Sequence, residues 1–533
     1  MNPPREPGLI RRGVLWLLML GPFFFLSYGL ANNYTAGRDD IGSLVFGWEQ
    51  HMPLWPWTII PYWSIDLLYG LSFLLPRTRQ EMDRHALALL TAQLISVGCF
   101  LLWPLRFTFE RPGLDGMFGW LFDVLMGFDK PYNQAPSLHI ALLVIIWTMF
   151  ARHIHRQPWR WVMHGWMALI GISVLTTWQH HFIDLPAGAL AGFVCVWLWP
   201  REGLLPLQGA RLAHVAKRWR LAAWYGLGAC LCAVLAGKLG GAWLWLAWPA
   251  VSLFMVALNY GVLGAGGFQK GSDGRLSNAA CWLLAPYLVA AWINSRFWTW
   301  RHPQPDEVCD GVFLGRIPGR SEGAPFAGIV DLCAELPFLA CTTAIAGLPA
   351  PTGIATGCKA CAGPAGAGLP TPTGIATGAK VYAAPAAEGL PAPTEIATGA
   401  KVRAAPAGEG LPAAKGMATA SKVCAVPVGA GLPAMRPAQS AYRSLPTLDL
   451  IAADAKLLQQ AADAIEHLRT RGPLLVCCAL GYSRSASAVA AWLLLSGRCS
   501  DAAQAEALIR QARPGIVLHP AHHQVLQQLG AHG

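Results

Sequence analysis

Eight apolar stretches follow one another in the first 300 residues, near 13–31, 54–75, 86–105, 137–151, 161–178, 183–199, 221–238 and 241–263. Several are shorter than the ~20 residues that a helix perpendicular to a bilayer needs, so their ends carry a margin of a few residues. No soluble core hides so many apolar segments in succession. Composition agrees: 13% of the 533 residues are charged, against about 25% in soluble chains. A purely soluble enzyme is excluded, and so is a disordered scaffold, which needs low hydrophobicity and high charge. The formal charge of +11 invites a nucleic-acid partner. The basic residues form short clusters between apolar runs, however, as in loops of a polytopic membrane protein. Membrane lipids are the expected surroundings, and no nucleic acid is expected.

The Lys/Arg bias sets an orientation. Arg77, Arg79 and Arg84 lie in the second loop, Arg152, Arg156 and Arg160 in the fourth, and Arg201, Arg211, Lys217, Arg218 and Arg220 in the sixth. The first loop holds Arg38 against Asp39, Asp40 and Glu49. Even-numbered loops and the N-terminus are therefore expected on the cytoplasmic side of the cell membrane. Arg11 and Arg12 precede the first apolar run as in a signal peptide, but no small-x-small cleavage site follows, so the run is read as an anchor. A ninth apolar stretch, 276–295, contains Pro286 and is followed by Arg296 and Arg301. If it spans, everything downstream is exported. If it re-enters or lies in the interface, the C-terminal part stays in the cytoplasm, as the arginines favour.

Beyond residue 300 the chain changes character. Residues 303–338 and 441–533 read as soluble α/β material. Between them, within 339–440, a 21-residue unit recurs four times over 347–430, beginning GLPAPTGIATGCKACAGPAGA. Ala, Gly, Pro and Thr dominate it, with no recurring large apolar residue to stack, so a disordered insertion is expected. Lengthening a loop from ~8 to ~100 residues costs about 2 kcal/mol of closure entropy, which a host domain of about 130 residues withstands. Cys358 and Cys361 have metal-ligand spacing but occur in one copy of the unit, so chance explains them. His519, His522 and His523 lack a sequence-adjacent acid or thiol and read as a solvated helix start. No metal or cofactor is expected. Fourteen cysteines without paired spacing fit a reducing compartment for the soluble part.

Three polar segments interrupt the membrane half: Arg106-Phe-Thr-Phe-Glu-Arg111-Pro112, Pro136-Ser137-Leu138-His139 and Thr177-Trp-Gln-His180-His-Phe-Ile-Asp184. By alternation all three reach the same, non-cytoplasmic face, and ionisable groups at a membrane boundary point to a site. Arginines clamp anions. Two histidines can serve as nucleophile and acid, with a carboxylate fixing the tautomer of one. The segments resemble the type 2 phosphatidic acid phosphatase superfamily, whose pattern is K-x6-RP, PSGH and SR-x5-H-x3-D. Arg111-Pro112, Pro136-Ser137, His139, Ser173, His180 and Asp184 match in order and spacing, over roughly residues 85–200. The resemblance implies a six-helix core, nucleophilic attack on phosphorus by His180, orientation of His180 by Asp184, and leaving-group protonation by His139. It implies phosphate binding by Arg111 and Ser137. The family lysine falls at Pro104, with Arg106 as its replacement; the family arginine falls at Val174 and the glycine at Leu138. The PSLH form resembles the branch related to inositolphosphoryl transferases, which leaves transfer open beside hydrolysis.

The soluble half carries Leu474-Leu-Val-Cys477-Cys478-Ala-Leu-Gly481-Tyr-Ser-Arg484-Ser485: an apolar strand, a loop, then a helix over 485–495. A Cys-x5-Arg loop turns backbone N–H groups and a helix N-terminus onto one anion. The same field favours thiolate at Cys478, and Arg484 offers a bidentate contact. The loop, together with Asp310–Gly315 as an opening strand and Gln511–Ile516 before a last helix, resembles the dual-specificity phosphatase family. That resemblance implies Cys478 as nucleophile, Arg484 and Gly481 in the phosphate loop, and Ser485 as the hydroxyl that assists thiol release. It also implies a general acid some thirty residues upstream: Asp449, 29 before Cys478, is the first choice and Asp454 the second. The family histidine before the cysteine is Cys477 here.

The expected architecture is a multi-pass α-helical membrane domain (1–200) with additional transmembrane or interfacial helices (201–300), followed by an α/β cysteine-phosphatase domain. A phosphorylated lipid, a phosphoprotein, or both are the expected substrates. The rival readings are a catalytically silent lipid-binding anchor carrying a protein phosphatase, and a lipid head-group transferase.

Overall fold

A computed structural model describes residues 5–319, 322, 325–339 and 441–530. The repeats and Cys358 and Cys361 lie outside the described residues. The N-terminal half is helical: α1 (Leu9–Ala36), α2 (Ile59–Ser72), α3 (Arg79–Leu102), α4 (Gly116–Phe128), α5 (Leu138–His153), α6 (Gln157–Thr176), α7 (Asp184–Leu198), α8 (Ala216–Leu239) and α9 (Ala247–Leu258). Helices stand at all eight apolar stretches. Among the described residues, four helical segments are long and apolar enough to cross a bilayer: Leu9–Ala36, Arg79–Leu102, Ala216–Leu239 and Gly241–Phe268. The helices α5 and α7, with 16 and 15 residues, are shorter and begin at polar segments. The helix α5, with 16 residues, rises about 24 Å. The helix α4 is apolar and lies between the third and fourth apolar stretches, where the sequence leads one to expect a loop.

The ninth apolar stretch is broken in two. The helix α10 (Asn278–Leu283) ends at Leu284, and α11 (Ala285–Trp298) restarts with Pro286 in its first turn, where proline's missing N–H costs nothing. Just before α10, the Gly274 carbonyl accepts from Phe338 N at 2.8 Å. Near the end of α11, Ser295 Oγ donates to the Ala479 carbonyl at 2.5 Å. The pair thus leaves the C-terminal domain and returns to it.

That domain is a five-stranded sheet in the order β1-β2-β5-β3-β4. The strands are β1 (Asp306–Cys309), β2 (Val312–Arg316), β3 (Gly328–Cys333), β4 (Ala441–Thr447) and β5 (Leu474–Cys478). Asp310 and Gly311, at φ 50° and 73°, make the tight turn that pairs β1 with β2 antiparallel; the other pairings are parallel. The helices α12 (Ala455–Arg469), α13 (Arg484–Leu495), α14 (Ala502–Ala512) and α15 (Pro520–Gly530) share one core with the sheet, which includes Val476, Val489 and Trp492. Helix starts follow side-chain caps: Asp454 Oδ1 accepts from Leu457 N and Asp501 Oδ1 from Gln504 N, both at 2.8 Å. All five residues of β5 are buried, as its unbroken apolar run requires of a central parallel strand. The carboxyl ends of β2, β3, β4 and β5 then share one edge, the place where open α/β sheets build sites.

Candidate functional sites

Cys478 ends β5, and the six-residue loop behind it closes onto its sulfur. Gly481 N donates to Cys478 Sγ at 3.2 Å and Ser485 Oγ at 3.3 Å. Gly481 holds φ 76°, and a Cβ there would lie 2.3 Å from the Gly315 carbonyl carbon on β2; only glycine fits the turn. Two residues given no role in the loop by the sequence brace it. Arg513 reaches the Leu480 carbonyl at 3.5 Å while bonding Asp306 at 2.7 Å. His522 takes His519 N on Nδ1 at 3.1 Å and meets Ser483 Oγ at 3.2 Å. The histidine group therefore includes a brace rather than only a solvated helix start.

Arg484 opens α13 with its side chain buried. Its Nη1 and Nη2 donate to the two Glu335 oxygens at 2.8 and 2.6 Å, and Nη1 also to the Thr447 carbonyl at 2.9 Å. Its Nε has no partner among the described residues. Asp449 Oδ1 lies 3.0 Å from Nη2, so the first-choice acid stands beside the arginine, whereas Asp454 is spent capping α12. Glu335, just past β3, was missed: nothing in Ala-Glu-Leu-Pro marks it, and the insertion parts it from the cysteine. The two carboxyls are driven apart. Burial would raise Glu335, but the Arg484 charge and hydrogen bonds outweigh it and hold Glu335 below the usual range. Burial raises Asp449 more than Arg484 lowers it, and the Glu335 charge adds to the rise. Two neighbouring carboxyls whose surroundings push them in opposite directions are the kind of pair from which acid and anion roles can be divided.

The membrane half assembles a second cluster where α5 and α7 cross. A Cβ on Gly188 would stand 2.4 Å from the Ser137 carbonyl oxygen and one on Gly192 2.8 Å from that of Ala141, so this small-xxx-small pair lets the helices touch. Ser137 N donates to the Asp184 carbonyl at 3.1 Å, and Ser137 Oγ caps α5 by accepting from Ile140 N at 3.4 Å. Asp184 Oδ2 meets His180 Nδ1 at 3.2 Å and accepts from His181 N at 3.0 Å. Ring stacking at 4.2 Å sets His139 on Tyr62, leaving Nε2 buried without a partner among the described residues. Arg111 Nη2 donates to the Thr177 and Trp178 carbonyls at 2.9 and 3.0 Å, while its Nε is likewise unpartnered. Asp129, absent from the sequence reading, accepts from Tyr28 at 2.6 Å and Tyr62 at 3.5 Å. Arg106 is not gathered in: it is exposed on an extended segment, its backbone N bonded to the Gly42 carbonyl. Among the described residues no group of His, Cys, Asp and Glu is disposed to hold a metal.

No protein-family model and no curated protein matches the chain. Among solved structures, the chain is similar to PTPMT1 in complex with PI(5)P, at 25% identity over 18% of this chain and 62% of that one, with a TM-score of 0.17. Tk-PTP in the active form gives 27% identity over 18% and 64%, also with a TM-score of 0.17. PTPMT1 alone gives 26% over 18% and 61%, at 0.17. The chain thus spans less than two thirds of each of these phosphatases.

Proposed function

We propose that the protein is a membrane-bound phosphomonoesterase whose better-defined site is Cys478. The observation that carries this reading is the convergence on one sulfur of the Gly481 N–H and the Ser485 hydroxyl, in a loop closed by Arg484, with Asp449 3.0 Å from that arginine. In the reaction, the Cys478 thiolate attacks phosphorus while Arg484 Nε and the loop N–H groups hold the phosphoryl oxygens. The ester oxygen leaves with the Asp449 proton. Water then attacks the cysteinyl phosphate, giving its proton to the Asp449 carboxylate, and the thiolate departs toward the Ser485 hydroxyl. The substrate is a phosphorylated lipid or a phosphoprotein held at the membrane, and both ends of the α10–α11 pair at the sheet domain favour a cytoplasmic placement. Hydrolysis of p-nitrophenyl phosphate by the full chain tests the reading: Cys478→Ser abolishes it, and retained turnover sinks the assignment.

In the membrane half, His180 oriented by Asp184 attacks a lipid phosphate and His139 protonates the leaving oxygen. The unpartnered Arg111 Nε favours an anion there. A phosphohistidine can pass its phosphoryl group to water or, in a head-group transferase, leave it on an alcohol. Product analysis with and without added inositol or glycerol separates the two, and no turnover of either kind leaves a silent anchor.

A further inference from the structure

Each of the three loops that form the cysteine site is gripped from the membrane half. The first grip is Lys270, between the Gly264–Phe268 turn and α10. Its side chain is fully buried, as is that of its partner Asp331. Its Nζ donates to Asp331 Oδ2 at 2.6 Å, to the Cys333 carbonyl at 2.6 Å and to the Leu336 carbonyl at 2.8 Å. An ammonium has three donors, and all three are used on the two sides of Glu335. A buried charge is tolerated only when so paired. The second grip is Tyr260, whose hydroxyl donates to the Asp449 carbonyl at 3.2 Å. The third is Ser295 on α11, bonded to Ala479 next to the nucleophile. Ala334 and Leu448, the neighbours of Glu335 and Asp449, are buried in one apolar cluster with Tyr260, Phe268, Leu276 and Leu283.

We propose that Lys270 and Tyr260 are positioning residues of the cysteine phosphatase: Lys270 sets Arg484 through the Glu335 loop, and Tyr260 sets the acid loop at Asp449. The proposal rests on the phosphatase reading of Cys478. It makes the 259–299 segment part of the enzyme rather than a tether. The two residues act on different catalytic groups, so their losses have different signatures. Arg484 binds the phosphoryl oxygens of ground and transition state alike, so misplacing it raises KM and weakens vanadate binding. Asp449 protonates the leaving oxygen, so misplacing it matters most for a leaving group that needs the proton, such as an alkoxide.

The experiment uses the full chain in lipid nanodiscs, with p-nitrophenyl phosphate and an alkyl phosphate as substrates. Lys270→Met is expected to raise KM and the vanadate inhibition constant about tenfold on both substrates. The charge-neutral pair Lys270→Gln with Asp331→Asn, which leaves no buried carboxylate unpaired, is expected to do the same and decides the matter if Lys270→Met does not fold. Tyr260→Phe is expected to lower kcat on the alkyl phosphate at least threefold more than on p-nitrophenyl phosphate, with vanadate binding within twofold of the parent. Folded variants that keep parental vanadate binding and parental leaving-group dependence overturn the proposal. Cys478→Ser, run beside them, separates the two failures: if it stays active, the phosphatase reading itself is wrong.

Discussion

Replacing Glu335 by Gln removes one charge from a buried, doubly hydrogen-bonded ion pair and leaves Arg484 with only Asp449, 3.0 Å from Nη2, as a carboxylate partner. Glu335 and Arg484 side chains are 5% and 2% exposed, so little solvent screening discounts the loss. Breaking such a pair from one side costs about 3–5 kcal/mol. At roughly 2–4 °C per kcal/mol for domains of this size, the thermal inactivation midpoint of the phosphatase activity should fall by at least about 6 °C. The arginine also loses the contact that fixes its plane, and kcat/KM for an aryl phosphate should drop about a hundredfold, equivalent to ~2.7 kcal/mol of transition-state stabilisation. Two pH effects follow. Glu335 is held below its ordinary value in the folded protein, so its stabilisation is complete above the unfolded glutamate pKa of ~4.3 and is lost as pH falls through the lower folded value. The gap in midpoint between parent and variant is therefore full at neutral pH and closes in acid. Asp449 loses the carboxylate that helps to raise it, so the alkaline limb of kcat moves to lower pH. The assay is p-nitrophenyl phosphate turnover by the full chain from about pH 3 to 8, a range that brackets the ordinary aspartate and glutamate values, after timed heating. An unchanged midpoint with unchanged kcat/KM, or an alkaline limb that moves upward, would refute the reasoning.

Gly481→Ala should cost about 1–2 kcal/mol for the left-handed backbone and push the loop off the Gly315 backbone, removing most aryl phosphatase activity; parental kcat/KM would count against the loop geometry. His180→Ala should abolish lipid-phosphate turnover and spare aryl phosphate hydrolysis, with Cys478→Ser and iodoacetate doing the reverse, since alkylation needs a thiolate. Lipid turnover that survives His180→Ala but not Cys478→Ser would reduce the membrane half to an anchor. Replacing 341–438 by a short Gly/Ser linker should leave aryl phosphatase activity within about twofold, because closure entropy changes by only about 2 kcal/mol and in the favourable direction; loss of folded protein would show that the repeats pack.

The central strand and its loop were readable because their pattern is local: an apolar run, Cys-x5-Arg, then alanine-rich helix. The His180–Asp184 pair was readable for the same reason, through its i,i+4 spacing, whereas the position of Asp449 beside Arg484 was reached through the resemblance. Glu335 and Lys270 were not. Each acts through a contact made only when distant segments meet, and neither stands in a pattern that singles it out. Arg106 shows the opposite failure: a residue of the right charge near the right place, on an extended segment that presents it to solvent. The ends of the membrane helices blurred because polar residues that serve the clusters also shorten the apolar runs. The stretch 276–295 read as one element, since Pro286 is compatible both with a kink and with the start of a second helix.

The rings of Phe338 and Tyr442 lie 4.8 Å apart, so the polypeptide departs from the sheet domain and rejoins it at nearly one point. A junction of that kind is indifferent to cargo size. Its repeat unit is 21 residues long, a whole number of codons, so unequal recombination within the repeated DNA adds or drops complete units without a frameshift and without moving β3 against β4. The same doorway is a natural place to splice in a reporter domain whose own termini lie close together.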